Sequence, residues 1–199
     1  EHMILVENNG GSMNGTTTED RTNYFEAFAA NQLDLGLFLE ADRMRSLVIS
    51  LANLDNQRNA VQEERRSSLD NQPYGKTGEV LQDLVYDNFA NKHDVIGSME
   101  DLNAATVKDV QDFFRIYYAP NNAVLTLVGD FQPEEALAKI KKYFGEIPAQ
   151  AAPPVPDLSE PRQNGERRKT IEDAFAQTPR LDIDFKIPPG NTDDWYALY

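Results

Sequence analysis

Five prolines fall within residues 148–165, and this stretch is what most constrains how the chain can fold. Proline fixes its own φ angle and lacks a backbone N–H, so neither a helix interior nor a central strand can continue through such a segment. The sequence therefore predicts a semi-stiff surface linker at 148–165. It separates a larger domain, 1–147, from a shorter region, 166–199.

Apolar residues recur at helical spacing through much of the chain before the linker. The pattern predicts helices over 31–52 and 77–90, and another that begins at Pro133. Ser98 and Thr106 are each followed three residues later by aspartate, which is typical of helix N-termini. A further helix, about 54–70, is nearly all polar, so we expect it to be a solvated surface or to serve a site.

Three other segments have the character of strands. Residues 12–28 combine threonines, aromatic residues and an Asn-Gly pair, which suits an extended strand or hairpin. The unbroken apolar run 123–128 predicts a buried strand, and the alternating run 181–187 predicts a half-buried one. The expected fold class is therefore α+β, with a mainly antiparallel sheet packed against several helices.

Charge and composition exclude several classes of function. The formal net charge is −14, and no basic patch is present of the kind that binding to nucleic acid requires. The chain has no cysteine, which excludes disulfides and thiolate chemistry. No apolar run approaches the roughly 20 residues of a membrane span.

Two pairs of adjacent residues have side chains that could take part in metal chemistry. The chain opens Glu1-His2, and Glu63-Glu64 lies in the polar helix. A catalytic zinc ion needs three protein ligands, an open position for water and a base that accepts the proton of that water. An adjacent Glu and His can divide this work if the Glu approaches the water and the His binds the ion.

Several motifs, taken in order, resemble the pitrilysin/insulinase (M16) family of zinc peptidases. They are Gly10-Gly11-Ser12-Met13-Asn14-Gly15-Thr16-Thr17, Glu40-Ala41-Asp42-Arg43-Met44, Glu63-Glu64-Arg65-Arg66 and Phe113–Asn122 leading into Leu127–Asp130. The resemblance implies the fold of these peptidases, which is of the LuxS-like metallohydrolase type, and Zn²⁺ as cofactor. It makes Glu1 the general base, His2 the second metal ligand and Glu64 the third.

Helical spacing favours Glu64 over Glu63 as the ligand. Gln57, Val61 and Glu64 share one side of the helix, and Glu63 points about a quarter-turn away. Many relatives place another glutamate where this chain has Gln57, so the resemblance implies that its amide supports the ligands by a hydrogen bond. The other histidine, His93, has polar flanks, and we interpret it as structural or exposed.

The resemblance also gives Asn14, Gly15, Thr16 and Thr17 a role in binding substrate. In the family this strand lies at a sheet edge beside the metal, and a peptide substrate pairs with it as an added strand. A simple Asn-Gly turn is the alternative interpretation of the same residues.

The leading hypothesis is a zinc-dependent endopeptidase that cleaves peptides with a metal-activated water. The alternative is a non-catalytic M16-like subunit or scaffold that binds a catalytic partner or a peptide. Either way, the resemblance implies a second M16-like domain or subunit, in a homo- or heterodimer. The motifs favour a bacterial periplasmic or secreted protein.

The family motif begins before this sequence does. Its first histidine would lie three residues before Glu1, and the family places a longer stretch between Met3 and Gly10. We therefore expect further residues before Glu1 and between Met3 and Ile4. The alternative is a real truncation with a broken metal site.

Overall fold

The structure is a computed structural model that describes residues 2–198. It divides into two compact units. The first contains the residues up to Gln57 together with Asn103–Pro154, and the second contains Arg58–Leu102 together with the chain from Val155 onward. In chain order the helices are α1 (His2–Asn8), α2 (Leu33–Ser46), α3 (Leu51–Arg65), α4 (Thr77–Val85), α5 (Phe89–Lys92), α6 (Met99–Ala104), α7 (Val107–Tyr117), α8 (Pro133–Phe144) and α9 (Asp193–Leu198).

The predicted hairpin is confirmed. Strand β1 (Ser12–Thr17) pairs with β2 (Thr22–Ala27) in an antiparallel arrangement in which Gly15 lies opposite Tyr24. A tight loop joins the strands, and the Thr18 N–H donates to the Arg21 carbonyl across a distance of 2.8 Å. Asn14 and Gly15 therefore lie within a strand and not in a turn.

Local capping explains where several helices begin and end. Thr106 accepts the backbone N–H of Asp109, and the Asp109 carboxylate accepts the N–H of Thr106, so α7 begins with a complete capping box. Helix α8 begins at Pro133 as expected, and Gly145 follows its last residue. These two helices confirm the start signals that the sequence contains.

The predicted helix over 31–52 ends earlier than its apolar pattern indicates. Helix α2 stops at Ser46, and Leu47 takes an extended backbone conformation. Leu47-Val48-Ile49 then runs outside a helix, with Val48 exposed. Two of these three residues are β-branched and so restrict side-chain rotation in a helix, which favours a break at this point.

The two strands predicted at 123–128 and 181–187 are absent from the described residues. Both segments are irregular, and most of their apolar side chains are exposed, to 94% at Val124 and 82% at Phe185. A strand requires a neighbouring strand for its backbone hydrogen bonds. Within residues 2–198 the sheet contains β1 and β2, so neither segment has one. The α+β class is nevertheless confirmed, as a helix-rich chain with a small antiparallel sheet.

Helices α2 and α8 pack together and form the core of the first unit. Leu37, Leu39 and Ala41 on α2 are buried, as is Ala136 on α8. At the rim of this contact, Asp34 accepts hydrogen bonds from Lys139 and Tyr143. The Lys139 ammonium beside it holds the pKa of the Asp34 carboxyl below its ordinary value.

In the second unit, Arg65 at the end of α3 is buried and makes several polar contacts. Its guanidinium lies 2.6 Å from the Glu79 carboxylate and 3.6 Å from that of Asp70, and it donates to the Gly97 carbonyl at 2.7 Å. Its side chain thus joins α3 to α4 and to the turn that precedes α6. The hydrogen bond to Glu79 raises the pKa of Arg65, so the guanidinium stays positively charged.

Tyr74 adopts a left-handed backbone conformation, with φ of 61°. This conformation is unfavourable for a bulky residue. Two contacts hold it in place. The Tyr74 N–H donates to the Asp173 carboxylate at 2.7 Å, and its hydroxyl donates to the Thr178 carbonyl at 2.7 Å.

The proline-rich segment is tied to the second unit through Glu160. The Glu160 carboxylate accepts the backbone N–H groups of Asp87 and Asn88 at 3.0 Å each. It also accepts the Asn91 amide at 2.9 Å and lies 3.3 Å from the Lys186 ammonium.

In the described part of the chain, no helix has both the length and the apolar character needed to cross a membrane.

Candidate functional site

His2 lies at the first position of α1, where its ring faces two carboxylates. Nε2 is hydrogen bonded to Oε1 of Glu26 on β2 and lies 3.8 Å from Oε1 of Glu40 on α2. Donor atoms of these three residues lie within 4.8 Å of one another, which is the spacing of a potential metal site. Three elements that are separate in sequence thus converge on one imidazole.

Arg43 supplies a positive charge to this cluster. Its guanidinium donates to both carboxylate oxygens of Glu40, at 2.9 and 3.1 Å, and lies 3.2 Å from Nε2 of His2. It is also 3.8 Å from Oε1 of Glu26. A metal ion bound by His2, Glu26 and Glu40 together would have to displace this guanidinium, so the cluster as it stands is a hydrogen-bonded charge network.

Glu26 is the most buried acid of the group. Its side chain is 6% exposed, and among the described residues its Oε2 has no hydrogen-bond partner. Burial raises the pKa of the Glu26 carboxyl, and the nearby Glu40 charge raises it further, while the hydrogen bond with His2 opposes both effects.

Two tyrosines, Tyr24 and Tyr118, lie beside this charge network. The Arg43 guanidinium stacks over the Tyr24 ring, 4.3 Å from its centroid. The Tyr24 hydroxyl lies 2.5 Å from that of Tyr118, which directly follows α7. The β2 strand is thereby joined to α7 at the level of the charge network.

The other residues predicted to hold metal lie on α3. Glu64 and Gln57 are both exposed, as expected for one solvated side of this polar helix. Gln57 falls in the first unit and Glu64 in the second. The structure groups His2 with Glu26 and Glu40 and does not include Glu64 in that cluster. Glu1, the predicted base, lies outside the described residues.

Zinc, the metal that the resemblance implies, accepts the donor types that His2 and Glu64 offer. The Glu64 carboxylate is exposed, and the Nδ1 atom of His2 is not used by the network around Nε2. Glu40, in contrast, is committed to Arg43 by two hydrogen bonds. The chain therefore offers two donor groups of a kind that zinc accepts, the His2 ring in the first unit and the Glu64 carboxylate in the second.

Strand β1 has a free edge within the described residues. Because Thr18 and Arg21 form a hydrogen-bonded pair, the alternation of an antiparallel ladder directs the backbone groups of Thr16 toward β2 and those of Gly15 and Thr17 away from it. The Gly15 N–H is accepted by the Asn14 side-chain oxygen at 2.8 Å, which agrees with this direction. Helix α1, which carries His2, contacts the same strand.

Sequence reasoning missed Glu26 and gave Glu40 and Arg43 no role. Glu40 and Arg43 have helical spacing of three, which is a signal for an ion pair, and they were part of a recognised motif. Glu26 carries no such signal, because a single acid in a strand is indistinguishable from an exposed charge until the strand is placed against α1.

Comparisons with known proteins agree on one family. Residues 104–199 match the family model described as the Peptidase M16 inactive domain. The zinc protease PqqE of Helicobacter pylori is 31% identical over 204 residues, which cover 98% of this chain and 44% of that protein. A solved protease structure from Helicobacter pylori has a TM-score of 0.78 at 32% identity, and the match covers 82% of this chain and 40% of that one.

A second solved structure shares the fold. The first half of the periplasmic protease PqqL from Escherichia coli has a TM-score of 0.70 at 22% identity, with 81% of this chain and 36% of that one covered. The chain spans less than half the length of the curated relatives that it matches, 44% and 42% for two of them.

Proposed function

The chain belongs to the M16 peptidase family, and from that premise we propose that it forms part of a zinc-dependent endopeptidase. The observation that supports the proposal is the contact between α1 and β1. His2 begins a helix that packs against β1, and within residues 2–198 the outer backbone edge of β1 is unpaired. The residue proposed as a metal ligand and the strand edge proposed to bind the peptide therefore lie on adjoining elements.

Each predicted residue has a part in this proposal. His2 and Glu64 hold the metal, and the Gln57 amide supports them by hydrogen bonding. When bound, zinc would supply a water whose pKa is lowered to about 7 and would polarise the carbonyl of the scissile bond. Glu1 accepts the proton of the attacking water and passes it to the leaving amine.

The substrate peptide pairs with β1 as an added strand. Gly15 and Thr17 present their backbone groups outward, so they are the residues that hydrogen bond to the peptide backbone. Asn14 and Thr16 flank them, and the Asn14 amide oxygen, which now accepts the Gly15 N–H, is exchanged for a substrate carbonyl. Pairing of this kind binds many sequences, because it reads the backbone and not the side chains.

The decisive experiment measures zinc content and peptide cleavage on the full-length gene product. We expect about one zinc per chain and cleavage that o-phenanthroline abolishes. Glu64→Gln should remove both zinc and activity. The matched control is Glu63→Gln, which removes the neighbouring exposed charge and should leave both unchanged. A folded protein that cleaves peptides in the presence of the chelator would contradict the proposal.

A second candidate function is a non-catalytic M16-like subunit. The match of residues 104–199 to a domain described as inactive favours it. Such a subunit keeps the fold and binds a peptide or a catalytic partner without cleaving. Absence of zinc from the folded full-length protein, with peptide binding retained, would select this alternative.

The proposal also includes a partner and a location. A second M16-like domain or subunit completes the substrate site, as the half-length matches to relatives suggest. The periplasmic location given for the Escherichia coli protease PqqL is extended to this protein as part of the proposal.

A further inference from the structure

Three Asn-Gly pairs occur in the chain, at Asn9-Gly10, Asn14-Gly15 and Asn164-Gly165. In such a pair the backbone nitrogen of the glycine can attack the side-chain amide carbon of the asparagine, because glycine has no Cβ to obstruct the approach. The asparagine side chain and the following nitrogen must be able to turn toward each other. The sequence makes the three pairs equivalent, so the structure decides which of them can react.

The third pair, Asn164-Gly165, lies in a surface loop, 160–167, that is held at both ends. At its start, the Glu160 carboxylate accepts the backbone N–H of Asp87 at 3.0 Å. At its end, the Arg167 guanidinium donates to the Asp87 carboxylate at 2.8 Å. Both ends are therefore fixed at one residue of the second unit, and the exposed pair lies between them.

The reacting groups of this pair are not held by other residues. Within residues 2–198, neither the Asn164 side chain nor the Gly165 N–H makes a hydrogen bond. The Gly165 carbonyl accepts the Gln163 amide at 2.9 Å, which does not engage the nitrogen. A Cβ added at Gly165 would meet no heavy atom within 4 Å apart from its chain neighbours, so the space around it is open.

The first pair, in contrast, is held on both sides. The Asn9 side-chain amide donates to the Leu5 carbonyl at 2.9 Å. The Gly10 N–H donates to the Glu7 carbonyl at 3.0 Å. Both hydrogen bonds must break before the Gly10 nitrogen can reach the Asn9 side chain.

The second pair is held by the β hairpin. Asn14 lies opposite Phe25, and the alternation of the ladder directs its backbone groups toward β2. Turning the Asn14 backbone so that the Gly15 nitrogen meets its side-chain carbon would break these ladder bonds. The Gly15 N–H also donates to the Asn14 side-chain oxygen at 2.8 Å, so its proton is engaged.

We propose that Asn164 is a modification site, which converts spontaneously to aspartate and isoaspartate in the folded protein. The Gly165 nitrogen loses its proton to water and bonds to Cγ of Asn164, and the bond from Cγ to Nδ2 breaks as ammonia leaves with a proton. Water then opens the cyclic imide. Opening at Cγ gives aspartate, and opening at the main-chain carbonyl gives isoaspartate, in which the chain runs through the side chain.

Either product changes the loop 160–167. Each adds a negative charge to a chain whose net charge is already −14, and isoaspartate also lengthens the backbone between Glu160 and Arg167. The reaction uses water and no metal, so this inference does not depend on the proposed function.

The test follows all three pairs by peptide mapping with mass spectrometry, on the full-length protein aged in mildly alkaline buffer. Isoaspartate is detected separately, by methylation with purified isoaspartyl methyltransferase. We expect Asn164 to convert roughly 10- to 30-fold faster than Asn9 or Asn14, because about two hydrogen bonds must break at each of these before the ring can close. In urea, where the chain is unfolded, the three rates should become similar.

The diagnostic variant is Gly165→Ala, because its Cβ has open space in the fold but obstructs the attacking nitrogen. It should slow conversion at Asn164 alone and leave the melting temperature unchanged. Conversion of Asn9 or Asn14 in the folded protein as fast as that of Asn164, or no conversion at Asn164, overturns the inference. A ranking that persists unchanged in urea also overturns it, because the fold would then not set the rates.

Discussion

The hydroxyl of Tyr24 lies 2.5 Å from the hydroxyl of Tyr118, although 94 positions separate the two residues in sequence. Their rings are tilted with centroids 6.2 Å apart, and Tyr118 also stacks on Phe114 at 4.9 Å. Burial raises the pKa of Tyr118 above its ordinary value, and the hydrogen bond to Tyr24 adds to the shift. This pair is a direct link between the β hairpin and α7.

Removing one hydroxyl should therefore weaken the first unit. We expect Tyr118→Phe to lower the free energy of unfolding by about 1 kcal/mol, the usual net value of one hydrogen bond. For a chain of this size the melting temperature should fall by about 2–4 °C. Tyr24→Phe should act similarly, and the double variant should cost less than the sum. Tyr117→Phe, in the last turn of α7, is the matched control for thermal unfolding.

The outward edge of β1 can be tested with proline, which removes one backbone N–H. Thr17→Pro removes a group that points away from β2, so the hairpin should keep its stability. If a peptide pairs with this edge, KM should rise about five-fold, the equivalent of one hydrogen bond of about 1 kcal/mol. The measurement is steady-state cleavage of a peptide, or peptide binding if the protein proves inert.

The control for this experiment lies one residue earlier. Thr16→Pro removes an N–H that points toward β2, so it should lower the melting temperature while Thr17→Pro does not. Equal destabilisation by the two substitutions would contradict the assigned direction of the edge. An unchanged KM in Thr17→Pro would contradict pairing of the substrate with β1.

Arg65 should be a sensitive position in the second unit. Arg65→Met removes a buried positive charge and leaves the carboxylate of Glu79, only 29% exposed, without its guanidinium. Breaking a buried pair in this way costs about 3 kcal/mol, so the melting temperature should fall by roughly 10 °C. The matched control is Arg66→Met, whose exposed pair with Glu63 should contribute less than about 1 kcal/mol. Similar losses in both variants, measured by thermal unfolding, would refute the assignment.

The Glu160 carboxylate should make the stability of the protein depend on pH in the acidic range. Hydrogen bonds from Asn91 and from the backbone of Asp87 lower its pKa from 4.5 to about 2. A carboxyl whose pKa is lower in the folded state stabilises the protein fully above pH 4.5, and this contribution is lost as the pH falls toward 2. Glu160→Gln should therefore melt below the parent protein at about pH 6, and the gap should narrow steadily as the pH falls from 4.5 toward 2.

The control for the acid dependence is Glu172→Gln, which changes an exposed acid of the same unit. Its melting temperature should follow that of the parent protein at each pH. A gap between Glu160→Gln and the parent that stays constant down to about pH 2.5 would show that Glu160 is not held by these hydrogen bonds.

The parts of this fold that sequence could predict are those with local causes. The capping box of Thr106 and Asp109 marks the start of α7 within four residues, and the strand pattern before Ala27 marks the hairpin. The segments 123–128 and 181–187 have the composition of strands, but pairing depends on residues that are distant in sequence. Composition alone could not tell whether the described chain contains those partners.

The residues of the candidate site also differ in whether the sequence could predict them. His2 and Glu64 could be proposed from their order in a family motif, and helical spacing separated Glu64 from Glu63. Glu26 could not be proposed, because its importance comes from burial against α1 and from the position of Arg43. Side chains whose surroundings come from residues distant in sequence leave little trace in a single sequence.

The left-handed Tyr74 has a consequence for the order in which the second unit can form. Its backbone conformation costs about 1–3 kcal/mol, and the groups that hold it belong to Asp173 and Thr178, which lie 99 and 104 positions later. During synthesis, the turn at Tyr74 leaves the ribosome long before those groups exist. We therefore expect the chain around Tyr74 to adopt another conformation at first. Its left-handed turn should form in a slow, late folding step, when the C-terminal segment docks and closes this long loop.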